Sequence, residues 1–316
     1  MDIVNKCNMR LKPYICSMSE ENLASNNGLD QRTPDNLLDL DQIVKNKSPL
    51  LKKMLPGFVL NYLKRLIHQD ELNRLLTAYA HLLGTDFIDA VFKDINTTLD
   101  LVGLENIPKK GKCIVASNHP LGGLDGMAVM LAVSKVRSDF LFPVNDLLLN
   151  IKNLKMLFIP INKHGSNAEN IKILNDTFAS DKLVCFYPYG LVSRKQNGQI
   201  RDLEWKPTFI TKAKRFKRDI IPTFNSGQNS NFFYNLANFR KTIGMKANIE
   251  MLFLPDELFK QANQTITITF GNKVPYQFFD KRHSNNDWAE LMRRYIYTLP
   301  EGNQLSFQEW SLNQQV

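Results

Sequence analysis

Residues 113–126 read CIVASNHPLGGLDG. The first five, Cys113 to Ser117, form an uncharged, mostly apolar run, as a strand does when both faces of its sheet are covered. The run ends in Asn118-His119-Pro120, bends through Gly122-Gly123, and passes into apolar residues at helical spacing, expected over 127–136. A buried strand, a glycine turn and a helix together open a unit of parallel sheet. Outward from this unit the same alternation recurs. Further strands are expected at 98–102, 140–144, 157–161, 183–187, 220–224, 249–254 and 266–270. Helices are expected between them at 168–179, 208–217, 232–242, 256–261 and 286–299. The fold class is therefore α/β over 97–299, with a largely parallel central sheet flanked by helices.

The flanks read differently. Leu37, Leu38, Leu40, Ile43 and Val44 fall at helical spacing, Pro56-Gly57 breaks the pattern, and Phe87, Ile88, Val91, Phe92 and Ile95 resume it. Residues 37–96 are thus an N-terminal helical region of three to five helices. Residues 1–36 read as a flexible leader, because 17–36 hold few large apolar side chains and many turn formers. The Gln- and Asn-rich stretch 300–316 reads as a polar surface tail.

Composition narrows the function classes. With 316 residues, 43% hydrophobic and 22% charged, the chain is neither a disordered tail, a collagen-like repeat nor a small disulfide scaffold. Cys7, Cys16, Cys113 and Cys185 form no C-x-x-C pair, which fits a reducing compartment. No apolar run approaches the roughly 20 residues that cross a bilayer. Met1-Asp2-Ile3 lacks the basic start of a secretory signal, so the expected location is cytoplasmic, soluble or peripheral. The net charge of +9 is local: residues 193–246 carry twelve Lys and Arg against three acids, and the rest of the chain balances. Such a segment is either a solvated face or an attractor of anions, whether nucleic acid, anionic membrane or a phosphorylated carrier.

The chemistry converges on the 113–126 stretch. In open α/β sheets ligands bind in the crevice beyond the strand C-termini. A histidine placed there can take a proton from a hydroxyl if a carboxylate fixes its tautomer, and His119 and Asp125 are near enough in sequence to meet across one turn. Equally, the pair can simply pin the turn. No G-x-S-x-G elbow points to a nucleophilic serine. The five histidines, His68, His81, His119, His164 and His283, show no ligand spacing, so no metal is expected.

The neighbourhood adds a resemblance. VGLENIPKKGKCIVASNHPLGGLD (102–125) resembles the opening block of the glycerolipid acyltransferase family, which includes bacterial 1-acylglycerol-3-phosphate acyltransferase; there a G-x-E-N-x-P element precedes an N-H-x-x-x-x-D motif. Later blocks follow in order: LFIPINK (157–163), FYPYGLVSR (186–194) against F-P-E-G-x-x-S, and Ile220-Ile221-Pro222 against I-x-P. The resemblance spans about Val102 to Gly227. It implies acyl transfer from a thioester, acyl-carrier protein or acyl-CoA, to a hydroxyl, with no other cofactor. His119 would be the general base and Asp125 its orienting carboxylate. Asn118, Gly122, Gly123, Lys163, Tyr189, Gly190, Ser193 and Arg194 fall at motif positions and become candidate substrate contacts. Backbone N–H groups near Gly190, or at the helix start after Gly122, are candidate oxyanion donors.

Three departures bear on the acceptor. Five residues, not four, separate His119 from Asp125, so the Gly122-Gly123 bend must rebuild the pair or leave it broken. Tyr189 stands where the family has Glu and Lys163 where it has Arg, both linked in the family to the glycerol-phosphate part of the acceptor. A phenol lacks the charge of a carboxylate, and lysine lacks bidentate phosphate recognition. With DLEWK at 202–206, this combination is most similar to the branch that acylates bacterial ornithine or glycine lipids, where the acceptor is a lyso-amino-acid lipid with a free 3-hydroxyl. The alternative acceptor is 1-acylglycerol 3-phosphate.

Arg194, Lys195, Arg201 and the basic residues of 212–218 would then face a carrier's phosphopantetheine or anionic head groups on the inner face of the cell membrane. FFYNLANFRK (232–241) and FVLNYLKRLI (58–67) set aromatics beside bases, fitting either an interfacial anchor or a helix packed on the core. Two other classes compete: a catalytically silent lipid-binding relative, and a basic nucleic-acid-binding module. Against the latter, the chain shows no zinc motif, RNP-like strand or helix-turn-helix, so no nucleic-acid partner is expected.

Overall fold

The structure, a computed structural model, describes residues 38–314 other than 48, 145–147 and 161–166. The leader expected over 1–36, and Lys163, lie outside the described residues. Strands β1 (Thr98–Val102), β2 (Cys113–Ser117), β3 (Phe140–Val144), β4 (Phe158–Pro160), β5 (Leu183–Phe186), β8 (Asp219–Asn225) and β9 (Thr265–Phe270) make one sheet in the order β1-β9-β8-β2-β5-β3-β4. Within it, β8 and β9 pair antiparallel, and the other neighbouring pairs are parallel. Strands β6 (Arg194–Gln196) and β7 (Gln199–Arg201) form a separate hairpin. The expected α/β class, a mostly parallel sheet between helices, is what the chain adopts.

β2 is the middle strand, which explains its uninterrupted apolar reading: each of its five residues is buried. Cys113 and Val115 enter one core, while Ile114 and Ala116 enter another. The first core is covered by α6 (Gly123–Ser134) and, from the N-terminal region, by α4 (Gln69–Ala78) and α5 (Gly84–Asp94). Ahead of these in the chain come α1 (Leu40–Lys47), α2 (Pro49–Met54) and α3 (Gly57–Leu66), so the described residues of that region hold five helices, the upper end of the expected three to five. α5 buries Phe87, Ile88, Val91 and Phe92, the residues whose spacing marked it. The second core is covered by α7 (Asn167–Ala179), α8 (Thr208–Phe216), α11 (Asn285–Ile296) and α12 (Phe307–Leu312). α9 (Asn231–Thr242) and α10 (Leu254–Phe259) follow β8.

β2 therefore leads into α6 on one face, and its neighbour β5 leads towards α8 on the other. Connections that leave adjacent strands for opposite faces open a crevice between the strand ends. His119 follows β2 and Tyr187 follows β5, so both stand at that opening.

Four expectations are corrected. The strand expected at 249–254 is a 3-10 turn, Ile249–Phe253, running into α10; Pro255 and the acids Asp256 and Glu257 suit a helix start, and Glu250 turns inward. The apolar spacing marked only 127–136, but α6 begins at Gly123, directly after Gly122 where the helix start was expected, and Asp125 lies in its first turn. The β6–β7 hairpin was not expected, although Asn197-Gly198, both at positive φ, is the turn pair that two-residue hairpins favour. The polar tail from 300 is in part a docked helix. Ser306 and Glu309 close a capping box on α12, and Phe307 is fully buried among Phe278, Phe279, Trp288 and Tyr295. A polar composition concealed one deeply buried aromatic.

Candidate active site

The residues after β2 are held by an internal mimic of the sheet. The Asn118 side chain donates to the Asn225 carbonyl at 2.9 Å and accepts the Asn225 N–H at 2.7 Å, continuing the β2–β8 ladder one step beyond Ser117 and Thr223. The chain then turns at Gly122, whose φ of 77° and ψ of −125° suit glycine, and whose absent Cβ would meet Leu254 carbons at 3.0 and 3.1 Å. That turn absorbs the extra residue between His119 and Asp125.

The two side chains meet. His119 Nδ1 lies 2.8 Å from Asp125 Oδ1, with the carboxylate fully buried and the imidazole 18% exposed. An ionised carboxylate only accepts, so Nδ1 carries the proton and Nε2 keeps its lone pair. Asp125 Oδ2 accepts the Leu121 N–H at 2.7 Å, and the Tyr187 hydroxyl donates to Oδ1 at 3.2 Å. The Tyr187 ring lies on the imidazole, centroids 4.0 Å apart and planes within 17°.

A second carboxylate holds the loop from behind. Asp202 Oδ1 accepts the His119 backbone N–H at 3.2 Å and the Ser193 hydroxyl at 2.6 Å, and Oδ2 accepts the Trp205 indole N–H at 2.9 Å. The Asp202 N–H in turn donates to the Tyr297 hydroxyl at 2.7 Å. Burial pushes the Asp202 carboxyl above the usual carboxylate range, against its three hydrogen bonds. Burial also disfavours the imidazolium of His119, but the charge and hydrogen bond of Asp125, aided by Asp202, outweigh it; the imidazole titrates above 6.5 despite opposition from Arg194. Tyr187 is raised well above 10 by burial and by Asp125, so its hydroxyl stays protonated and donating.

Several expected substrate contacts prove internal. Asn118 is consumed by Asn225, as above. Ser193 is buried, with its hydroxyl on Asp202 and its N–H on the His119 carbonyl at 2.8 Å. Arg194 is buried and donates to Glu250 at 2.8 Å and to the Val192 carbonyl at 2.6 Å, because Glu250, which also receives Arg240 at 2.8 Å, needs neutralising in the interior. The Gly190 N–H closes a turn on the Tyr187 carbonyl at 3.0 Å and so is not free for an oxyanion. The first-turn N–H groups of α6, from Gly123 onward, have no intrahelical acceptor and remain the oxyanion candidates. Tyr189 is partly buried and, with Leu191, Arg194, Arg240 and Lys241, lines a small cavity of about 110 Å³.

The basic segment is likewise divided. Arg218 is fully buried and donates to the carbonyls of Cys113, Thr177, Phe178, Ser180 and Lys182; burial pulls its pKa down to about 10. Lys206, Lys214, Arg215, Lys217, Lys241 and Lys246 are exposed. The sequence reading missed Tyr187 and Asp202. Both lay inside quoted stretches, FYPYG and DLEWK, but nothing in their spacing says which way the side chains turn.

Comparison with known proteins follows the same lines. A family described as Acyltransferase matches residues 42–305. A Bacteroides thetaiotaomicron protein named lyso-glycine lipid O-acyltransferase is 44% identical over 265 residues, 83% of this chain and 97% of its own. A Phocaeicola vulgatus protein of the same name is 44% identical over 265 residues, 83% of this chain and 95% of its own. Among solved structures, the 1-acyl-sn-glycerophosphate (LPA) acyltransferase PlsC from Thermotoga maritima is similar with a TM-score of 0.47 and 14% identity, covering 82% of this chain and 93% of that one.

Proposed function

This chain belongs to the acyltransferase family, and from that membership we propose that it moves a fatty acyl group from a thioester to the free hydroxyl of a lyso-glycine lipid. The observation that carries the mechanism is the 2.8 Å contact between His119 Nδ1 and the buried Asp125 carboxylate at the strand ends. The acceptor is taken from the two 44% identical relatives that bear this activity in their names.

The reaction needs a base, an oxyanion site and a route for the proton. The acceptor hydroxyl gives its proton to His119 Nε2 as its oxygen bonds to the thioester carbonyl carbon. Charge gathers on the carbonyl oxygen, where first-turn N–H groups of α6 and the positive end of the helix stabilise it. As the carbon–sulfur bond breaks, the imidazolium returns its proton to the leaving thiolate, and no acyl-enzyme forms. Asp125 steadies the imidazolium between the two transfers. A positioned base contributes about 10²–10⁴-fold, and holding the two lipids together supplies much of the rest.

The donor proposed is acyl-carrier protein or acyl-CoA, with the exposed lysines and Arg215 of the basic segment attracting the phosphate of either. A membrane surface is proposed as the source of the acceptor. No helix among the described residues is long and apolar enough to cross a membrane. Phe232 and Phe239 of α9 are exposed beside Lys241 and Lys246, and Phe58 and Tyr62 of α3 are exposed beside Arg65. A peripheral contact with anionic lipid on the inner face of the cell membrane fits these two surfaces.

The test is turnover by the purified chain. Acyl-carrier protein and CoA thioesters are each supplied with lyso-glycine lipid, lyso-ornithine lipid or lysophosphatidic acid, and products are read by mass spectrometry. Diacylated glycine lipid is the expected product. Turnover confined to lysophosphatidic acid would overturn the acceptor, and full activity in His119→Ala would overturn the mechanism.

A further inference from the structure

We propose that Tyr187 is a positioning residue for the His119–Asp125 pair, its hydroxyl fixing the carboxylate and its ring fixing the imidazole. This rests on the reading of His119 as the base. The need for such a residue follows from the loop. Five residues separate the pair, the turn between them runs through two glycines, and Asp125 is carried on a helix start whose position depends on Gly122. A carboxylate on that support requires a contact from elsewhere in the fold to hold its rotamer against His119 Nδ1.

Two contacts besides His119 divide the carboxylate between them, and one of them comes from outside the loop. Oδ2 takes the Leu121 N–H at 2.7 Å, a bond within the same loop that moves with it. Oδ1 takes the Tyr187 hydroxyl at 3.2 Å together with Nδ1 at 2.8 Å, and Tyr187 arrives from the end of β5, a central strand paired to β2. The phenol is thus the link that refers the carboxylate to the rigid sheet. Its ring is set in turn by the edge of Phe142 from β3, with centroids 5.2 Å apart. Lying within 17° of the imidazole plane, it blocks rotation of His119 about its side-chain bonds on that face. The charged and titratable groups around the imidazole are Asp125 from α6, Asp202 after β7, Arg194 of β6 and Tyr187 itself. Of these, Tyr187 touches both members of the pair.

The hydroxyl has an electrostatic consequence that separates this role from mere packing. A donor on Oδ1 withdraws part of the carboxylate's charge from the imidazolium. Removing it lets Asp125 hold the imidazolium more tightly, so the imidazole titrates higher, while the freed carboxylate orients the ring less well. Tyr187→Phe is therefore expected to lower kcat about tenfold with KM unchanged, the scale of one hydrogen bond to a charged group. The His119 titration, followed by NMR on the full chain with labelled histidine and no substrate, should shift upward, and the acid limb of the rate profile with it. Tyr187→Met keeps bulk but loses ring and hydroxyl; it should lower kcat further and serves if the Phe variant melts below the assay temperature. A Tyr187→Phe enzyme with kcat within twofold of wild type and an unmoved His119 titration overturns the proposal. The NMR reading needs no acceptor, so failure of the lyso-glycine lipid assignment and failure of this inference remain distinguishable.

Discussion

Asp125→Asn tests the central geometry with the least change of shape. In the wild type the carboxylate receives three donors: His119 Nδ1–H at 2.8 Å, the Leu121 N–H at 2.7 Å and the Tyr187 hydroxyl at 3.2 Å. An amide offers one acceptor oxygen and two N–H donors. If its oxygen stays on Leu121, its NH₂ faces Nδ1, which must then accept, and the imidazole proton moves to Nε2. The lone pair that would receive the substrate proton is gone. If the amide flips instead, the Leu121 N–H loses its acceptor inside the protein, at a cost of about 1–3 kcal/mol. The first arrangement wins on energy and is the inactive one. A general base is worth about 10²–10⁴-fold, and a wrong tautomer costs a serine-protease triad about 10⁴-fold, so kcat should fall about 10³-fold with little change in KM. Without Asp125, burial acts on the imidazole with less opposition, so its titration should move down from the wild-type position. Initial rates with a labelled acyl donor, and the His119 NMR titration, read the two effects. A variant that keeps more than a tenth of wild-type kcat, with His119 titrating as before, would refute the tautomer argument.

Three further outcomes follow from the same structure. In the proposed mechanism His119 works only when deprotonated, and its pKa lies above 6.5, so kcat/KM should fall about tenfold per unit as pH drops through that raised value; a profile flat from pH 8 to 5.5 would contradict it. Gly122→Ala places a Cβ at positive φ and 3.0 Å from Leu254, and should cost about 1–3 kcal/mol in urea unfolding while displacing Asp125 and lowering activity. Phe307→Ala should cost about 3–5 kcal/mol by the same measurement, whereas a dispensable tail would cost almost nothing.

The sheet was legible because several of its strands are apolar on both faces and the helices between them keep their spacing. Cys113–Ser117 and Leu183–Cys185 announce burial residue by residue. Legibility failed where a side chain's direction, not its polarity, decides the outcome. Ile249–Leu254 looks like a strand until Glu250 is seen facing inward to two arginines. Phe307 sits in a polar stretch yet fills the second core. In the site, His119 and Asp125 were legible because a base and an acid near a glycine turn form a recognisable set. Asn118, Ser193 and Arg194 share the same motifs but face the interior, where they brace the loops. Tyr187 and Asp202 reach His119 from other elements, and proximity of that kind is a property of the folded sheet alone.

The path from the His119 N–H through Asp202 to the Tyr297 hydroxyl ties the loop that carries the proposed base to a part of the chain synthesised much later. A nascent polypeptide that has left the ribosome as far as β8 already holds His119, Asp125 and Tyr187, but its loop backbone still lacks the strut that Tyr297 completes and the aromatic plug that follows at Phe307. Acyl transfer should therefore switch on late in synthesis. It should also be lost when the chain from α11 onward is removed, even though such a truncation keeps His119, Asp125 and Tyr187.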